Sequence, residues 1–234
     1  PERWETKTLK IAAVFFLLLA VMALEVSGVP SGIPMREIDA GEILAKVKAS
    51  QLVEYDHIIV KGDLDLSLLH NMESSAGRVS INSPIKIANS VILGHVVINK
   101  VALEDAIDFP GTKFMSRTTM TDSWFNDTAS FNKASFEDVA DFSTSRFNGP
   151  AVFSSARFGQ TAYFRDCAFS QAAKFVSAQF SQQAYFHWAR FSKDANFKST
   201  KFDRGAIFRA AAFGQNADFK LAQFLQVADF ESVR

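Results

Sequence analysis

Residues 140–169 read ADFSTSRFNGPAVFSSARFGQTAYFRDCAF, with Phe at 142, 147, 153, 158, 164 and 169. The steps run five, six, five, six, five, so the underlying period is eleven residues. Continued downstream, the alternation meets a Phe at every rung to Phe230. Continued upstream, it passes Phe136, Phe131, Phe125, Met120, Phe114 and Phe109, then Leu103, Ile98, Ile92, Ile87 and Ile81. The result is 28 consecutive apolar rungs, 22 of them Phe. A fixed period held this long marks a repeat array, in which each unit buries its apolar face only against its neighbours.

Two residues before each Phe from Phe125 onward stands a small residue. It is Ala at every eleventh position from Ala129 to Ala228. On the intervening rungs it is Ser123, Ala134, Ser145, Ala156, Cys167, Ala178, Ala189, Thr200, Ala211 or Ala222. In an extended chain, small-x-Phe puts both named residues on one side and x on the other. A helix fails this pattern: at about 100° per residue the Ala and Phe fall on two opposed arcs, so no single stripe could be buried. Five or six residues per rung predict a three-residue strand and a turn. Four rungs close a square coil of 22 residues, and the 28 rungs make seven coils. With strands roughly 4.8 Å apart, the rod is about 30 Å long. The extra residue follows the rungs occupied by Phe136, Phe147, Phe158 and their successors. There stand Asn148, Gly159, Ser170, Ser181, Ser192, Asp203 and Gly214, with Glu137 the exception. These turn formers predict that the backbone excursion occurs at that corner.

Segments such as Ala140-Asp141-Phe142-Ser143 and Ala195-Asn196-Phe197-Lys198 resemble the pentapeptide-repeat family. Its unit is Ala, Asp or Asn, a central Leu or Phe, then two variable residues. The resemblance covers about residues 59–234 and places the chain in a Phe-rich branch. It implies an all-β fold, a quadrilateral parallel β-helix that is usually right-handed, with no activity common to the family.

Ahead of the rod, Ile11 to Leu24 is an uninterrupted apolar run behind Arg3, Lys7 and Lys10, followed by Glu25-Val26-Ser27-Gly28. This is the pattern of a secretory signal peptide, or of a membrane anchor if the segment is retained, so residues 1–28 form that unit. Residues 29–56 read as a Pro/Gly linker, Val29-Pro30-Ser31-Gly32-Ile33-Pro34, and a capping helix. Asp39 with Glu42 resembles a capping box, and Ile43, Leu44 and Val47 form an apolar face to lie over the first coil. The β-helix takes residues 57–234, with Gly62-Asp63-Leu64 an early repeat and His70–Gly77 a surface loop. Ala228-Asp229-Phe230 is an ordinary uncapped rung four residues before Arg234. It predicts missing downstream sequence or end-to-end self-association at that coil.

Reactive chemistry is thin. Cys167, the single cysteine, sits at a small inward position and reads as buried filler. The four His show no ligand spacing, and neither a metal nor a cofactor is expected. The acidic pairs Asp63/Asp65, Glu104/Asp105 and Glu137/Asp138 are dispersed on outward positions, unlike a glycosidase pair across a cleft. Asn126-Asp127-Thr128 matches the glycosylation acceptor pattern. Residues 125–234 carry 13 Lys/Arg and 10 Asp/Glu, and the whole chain is neutral. That balance disfavours nucleic-acid binding and a topoisomerase-protecting DNA mimic, which needs a strongly acidic rod.

One outward pattern stands apart. Positions 22 apart should sit above one another, which stacks Asp141, Tyr163, Tyr185, Ile207 and Asp229 into a column with Trp188 at its corner. Tyr163, Tyr185, Ile207 and Trp188 form an apolar strip suited to a protein or glycan partner, or simply a stack that steadies the sheet. The expected function is a non-enzymatic structural or interaction module, secreted or on the cell surface. The alternative is the extracellular part of a larger membrane protein, with membrane association through residues 11–24.

Overall fold

The chain divides into two units, Pro1–Met35 and Arg36–Arg234. A computed structural model describes residues 34–69 and 77–234. The apolar run Ile11–Leu24, the linker up to Ile33, and His70–Ala76 lie outside the described residues. Among the described residues no helix is long and apolar enough to cross a membrane.

The second unit is a parallel β-solenoid of about eight coils with one short helix. Its opening elements are β1 (Arg36–Asp39), α1 (Ala40–Lys48), β2 (Val53–Asp56), β3 (Ile58–Lys61), β4 (Leu64–Asp65) and β5 (Val79–Ile81). The strands β2 to β5 start the four faces of the tube in order of travel. The first face has eight strands, the second nine including β1, the third eight and the fourth seven. From β5 onward, strands and ladder rungs correspond one to one. The regular strands are two residues long, such as Ala140–Asp141 and Arg146–Phe147, rather than three. A coil of 22 residues with four sides leaves each side only two paired residues before the chain turns.

The tube also starts earlier than residue 57, because β2 already pairs with the first face, Val53 against Ile85 and Tyr55 against Ile87. This adds an eighth coil to the seven that the ladder predicts. In that coil the register Val60↔Ile92 and Leu64↔Val96 is offset by ten more residues than Val79↔Val101. The insertion holds the 3₁₀ turn Leu66–Leu68 and the His70–Gly77 break.

Register places Phe on Phe. Along the second face Phe114, Phe136, Phe158, Phe180, Phe202 and Phe224 follow one another at centroid spacings of 4.7, 4.9, 4.6, 5.0 and 5.0 Å. Rings from opposite faces meet edge-on across the interior, as Phe164 of the third does Phe175 of the first at 5.3 Å and 89°. Offset-parallel and edge-to-face contacts both suit the aromatic quadrupole. Each buried ring contributes roughly 1.5–3 kcal/mol. The small residue keeps the wall thin. Several of the Ser, Thr and Cys residues there also donate to a carbonyl 25 residues back, as Ser145 Oγ to Met120, Cys167 Sγ to Phe142 and Thr200 Oγ1 to Phe175, whereas the buried Thr118 hydroxyl has no partner among the described residues.

The corner expectation is overturned. Left-handed residues occur at Asp122, Lys133, Thr144, Ser155, Asp166, Ser177, Trp188, Ser199, Ala210, Leu221 and Ser232, all on five-residue corners. The six-residue corners that hold Asn148, Gly159 and Gly214 need no positive φ. The shorter corner must turn the chain onto the next face with one residue fewer. It does so through an i→i+3 bond, as from Ala134 N to Phe131 O (3.0 Å), with φ positive at the third residue. Gly149 is needed for a different reason: a Cβ there would overlap the Asp127 backbone of the coil below.

At the N-terminal end β1 pairs along β3 and covers that face's edge. Helix α1 buries Ala40, Ile43 and Val47 and contacts β2 and β4. Asp39 caps it through Gly41 N, but the box does not close. Glu42 instead accepts from the Tyr55 hydroxyl (2.6 Å) and pairs with Arg36 (3.3 Å).

Candidate functional site

The third face carries the predicted column in register: Asp141, Tyr163, Tyr185, Ile207 and Asp229. Tyr163 and Tyr185 stack at 5.1 Å and 5°. The Arg165 guanidinium lies 5.2 Å from the Tyr163 ring centre. Both tyrosines and Ile207 are half-buried rather than exposed. Each tyrosine ring therefore covers one face of the other, and the half-buried pair presents only part of its surface to solvent. As a platform for stacking another ring, the tyrosine pair is largely used up.

Trp188 differs. It is 52% exposed, and its one ring neighbour among the described residues is His187, met edge-on at 4.9 Å. It stands at a left-handed corner with φ of 60°, a region unfavourable for a bulky side chain. The equivalent positions one coil away are Asp166 and Ala210. Burial recovers little of this backbone cost, which sets Trp188 apart from the core.

Around it lies a column the sequence reading did not single out: Ser143, Arg165, His187, Arg209 and Glu231. It occupies the position after each third-face rung, and offsetting that position by 22 residues would have revealed it. Backbone bonds tie these coils together, Asp166 N to His187 O at 3.1 Å and Trp188 N to Arg209 O at 3.0 Å. Arg209 is engaged by Asp229 (2.8 Å) and Glu231 (3.2 Å). Arg165 reaches Ser143 Oγ at 3.4 Å and has no carboxylate partner among the described residues. On the adjoining fourth face Arg190 is exposed between Ala168 and Ala212. Burial, with Arg165 adding repulsion, holds the His187 imidazole below its ordinary pKa, and its Nδ1 has no hydrogen-bond partner.

The other sequence candidates are occupied locally. Asp63 accepts from His95 N and Asp65 caps the 3₁₀ turn at Ser67 N. Glu137 accepts from Ser135, and Asp138 from Val139 N. Asn126 donates its amide to Glu104 (2.7 Å) and accepts from Asn148 (2.6 Å), so the glycosylation acceptor nitrogen is part of a side-chain ladder. Cys167 is fully buried, and desolvation pushes its thiol far above the usual range. Among the described residues no cluster of His, Cys, Asp and Glu has the makings of a metal site.

A family model for pentapeptide repeats (9 copies) matches residues 131–179, 153–201, 175–222 and 189–234. No curated protein and no solved structure matches the chain.

Proposed function

The chain belongs to the pentapeptide-repeat family, and from that premise we propose that it is a non-enzymatic interaction module. It presents the corner between its third and fourth faces to a partner, outside the cytoplasm. The observation that carries this reading is Trp188, half-exposed at a left-handed corner where a smaller residue would stand more easily. Aromatic side chains at such positions are typical binding anchors, because they offer large contact area at low entropic cost. Tyr185, Tyr163 and Ile207 extend the anchor along the rod. The packed interior supports a scaffold role, since the Phe rings occupy the space a catalytic hollow would need. The Ile11–Leu24 run supports export or surface attachment.

The test is a photo-cross-linking residue at position 188, compared with one at Lys174 on the first face, in the cells that make the protein. A discrete adduct from position 188 alone is the expected outcome. Equal labelling at both positions, or none at either, refutes the surface. Protection of the folded rod from protease added outside intact cells would refute its external placement.

A further inference from the structure

We propose that the Trp188 corner binds a uronate-bearing glycan, laid along the rod with one sugar near each coil. This rests on the reading of that corner as the contact surface and gives it a ligand class. Three observations converge on it. The first is geometric: Trp188 is 52% exposed and its corner equivalents one coil away, Asp166 and Ala210, carry no ring to stack on it, while Tyr163 and Tyr185 stack on each other. An open indole beside a small residue suits the apolar face of a pyranose. The second is charge: Arg165 precedes Asp166, the residue one coil before Trp188, Arg190 follows Trp188 by two positions, and neither has a carboxylate partner among the described residues. A guanidinium free of an ion pair recognises a carboxylate in a bidentate fashion. The third is period: successive coils repeat at roughly 4.8 Å, close to the length of one pyranose in an extended chain. Tyr185 on the same coil and Tyr163 one coil away then form a hydrogen-bonding rim through their hydroxyls.

Asp166, next to Arg165, sets a limit on this site. It repels anions lying low on the corner and directs the carboxylates toward Arg165 and Arg190. Arg209, held by Asp229 and Glu231, supplies less.

The experiment is titration calorimetry of the full chain with tetragalacturonate, a neutral cello-tetraose and a short poly-glutamate. Tetragalacturonate should bind, cello-tetraose at least about tenfold more weakly and poly-glutamate not measurably. Trp188→Asn should weaken tetragalacturonate by at least about tenfold, the scale of an anchor residue. Asn adopts the left-handed region readily, so this variant retains the corner. Arg165→Gln and Arg190→Gln should each weaken binding and reduce its salt dependence, whereas Lys174→Ala should change nothing. Failure of tetragalacturonate to bind overturns the proposal, as does poly-glutamate binding as tightly. So does an unaltered affinity in the folded Trp188→Asn variant. A position-188 adduct to a protein, with no uronate binding, would sink the glycan class and leave the contact surface standing.

Discussion

At the scale of single residues, inward and outward positions differ by an order of magnitude in consequence. Phe175 stacks on Phe153 at 5.0 Å and on Phe197 at 4.8 Å, and meets Phe164 and Phe186 edge-on. Phe175→Ala should cost about 3–5 kcal/mol in denaturant unfolding, from lost transfer energy plus the cavity left in a stiff tube. Lys174→Ala, one residue away but facing solvent, should stay within about 0.5 kcal/mol. Equal midpoint shifts would contradict the assignment of faces. Cys167 gives a second test. Its thiol is buried and donates to the Phe142 carbonyl at 3.0 Å, and desolvation favours the neutral form. A thiol reagent should therefore label it only on unfolding. Cys167→Ser, which copies Ser123 and Ser145 of the same column, should fold normally. Labelling of the native protein at the rate of a free thiol would show the wall to be open there.

At the scale of elements, the end and the corners of the tube obey different rules from its sides. Helix α1 is held by one cap and one apolar face. Asp39→Ala removes the bond to Gly41 N and should lower stability by about 1 kcal/mol. Hydrogen exchange should show the loss confined to α1 and the first coil. Protection lost evenly over all coils would mean the cap governs the whole rod. The sides were legible from the sequence because the ladder is a two-residue alternation interrupted at fixed intervals. The corners were not. Turn-forming residues crowd the six-residue corner, where the backbone has room, while the tight five-residue corner accepts Lys133, Thr144 and Trp188 at positive φ. Closure of the coil imposes that conformation whatever side chain occupies it.

At the scale of the whole molecule, the columns repeat every 22 residues, as Ala151↔Ala173 and Phe158↔Phe180 illustrate. Deleting residues 132–153 removes one coil and returns every later residue to its own face. The shortened protein should keep its β-sheet circular dichroism and lose roughly one-eighth of its denaturant m-value. Deleting 132–136 instead sets two six-residue corners side by side and shifts each later strand by one face. That variant should fail to fold, and a native-like melt from it would refute the coil assignment. Through its period, the amino-acid order alone determined the parallel β-helix, its inward Phe and Ala, and the vertical alignment of Tyr163 with Tyr185. These follow from local alternation and repeat length, which need no knowledge of distant contacts. Only the tertiary structure decided that the tyrosines stack on each other while Trp188 stays exposed with no ring stacked on it among the described residues. It alone showed that Arg209 is engaged by carboxylates while Arg165 and Arg190 have none among the described residues. Such facts depend on which side chains meet across coils and around an edge, and one-dimensional spacing carries no angle between rings and no count of ion-pair partners.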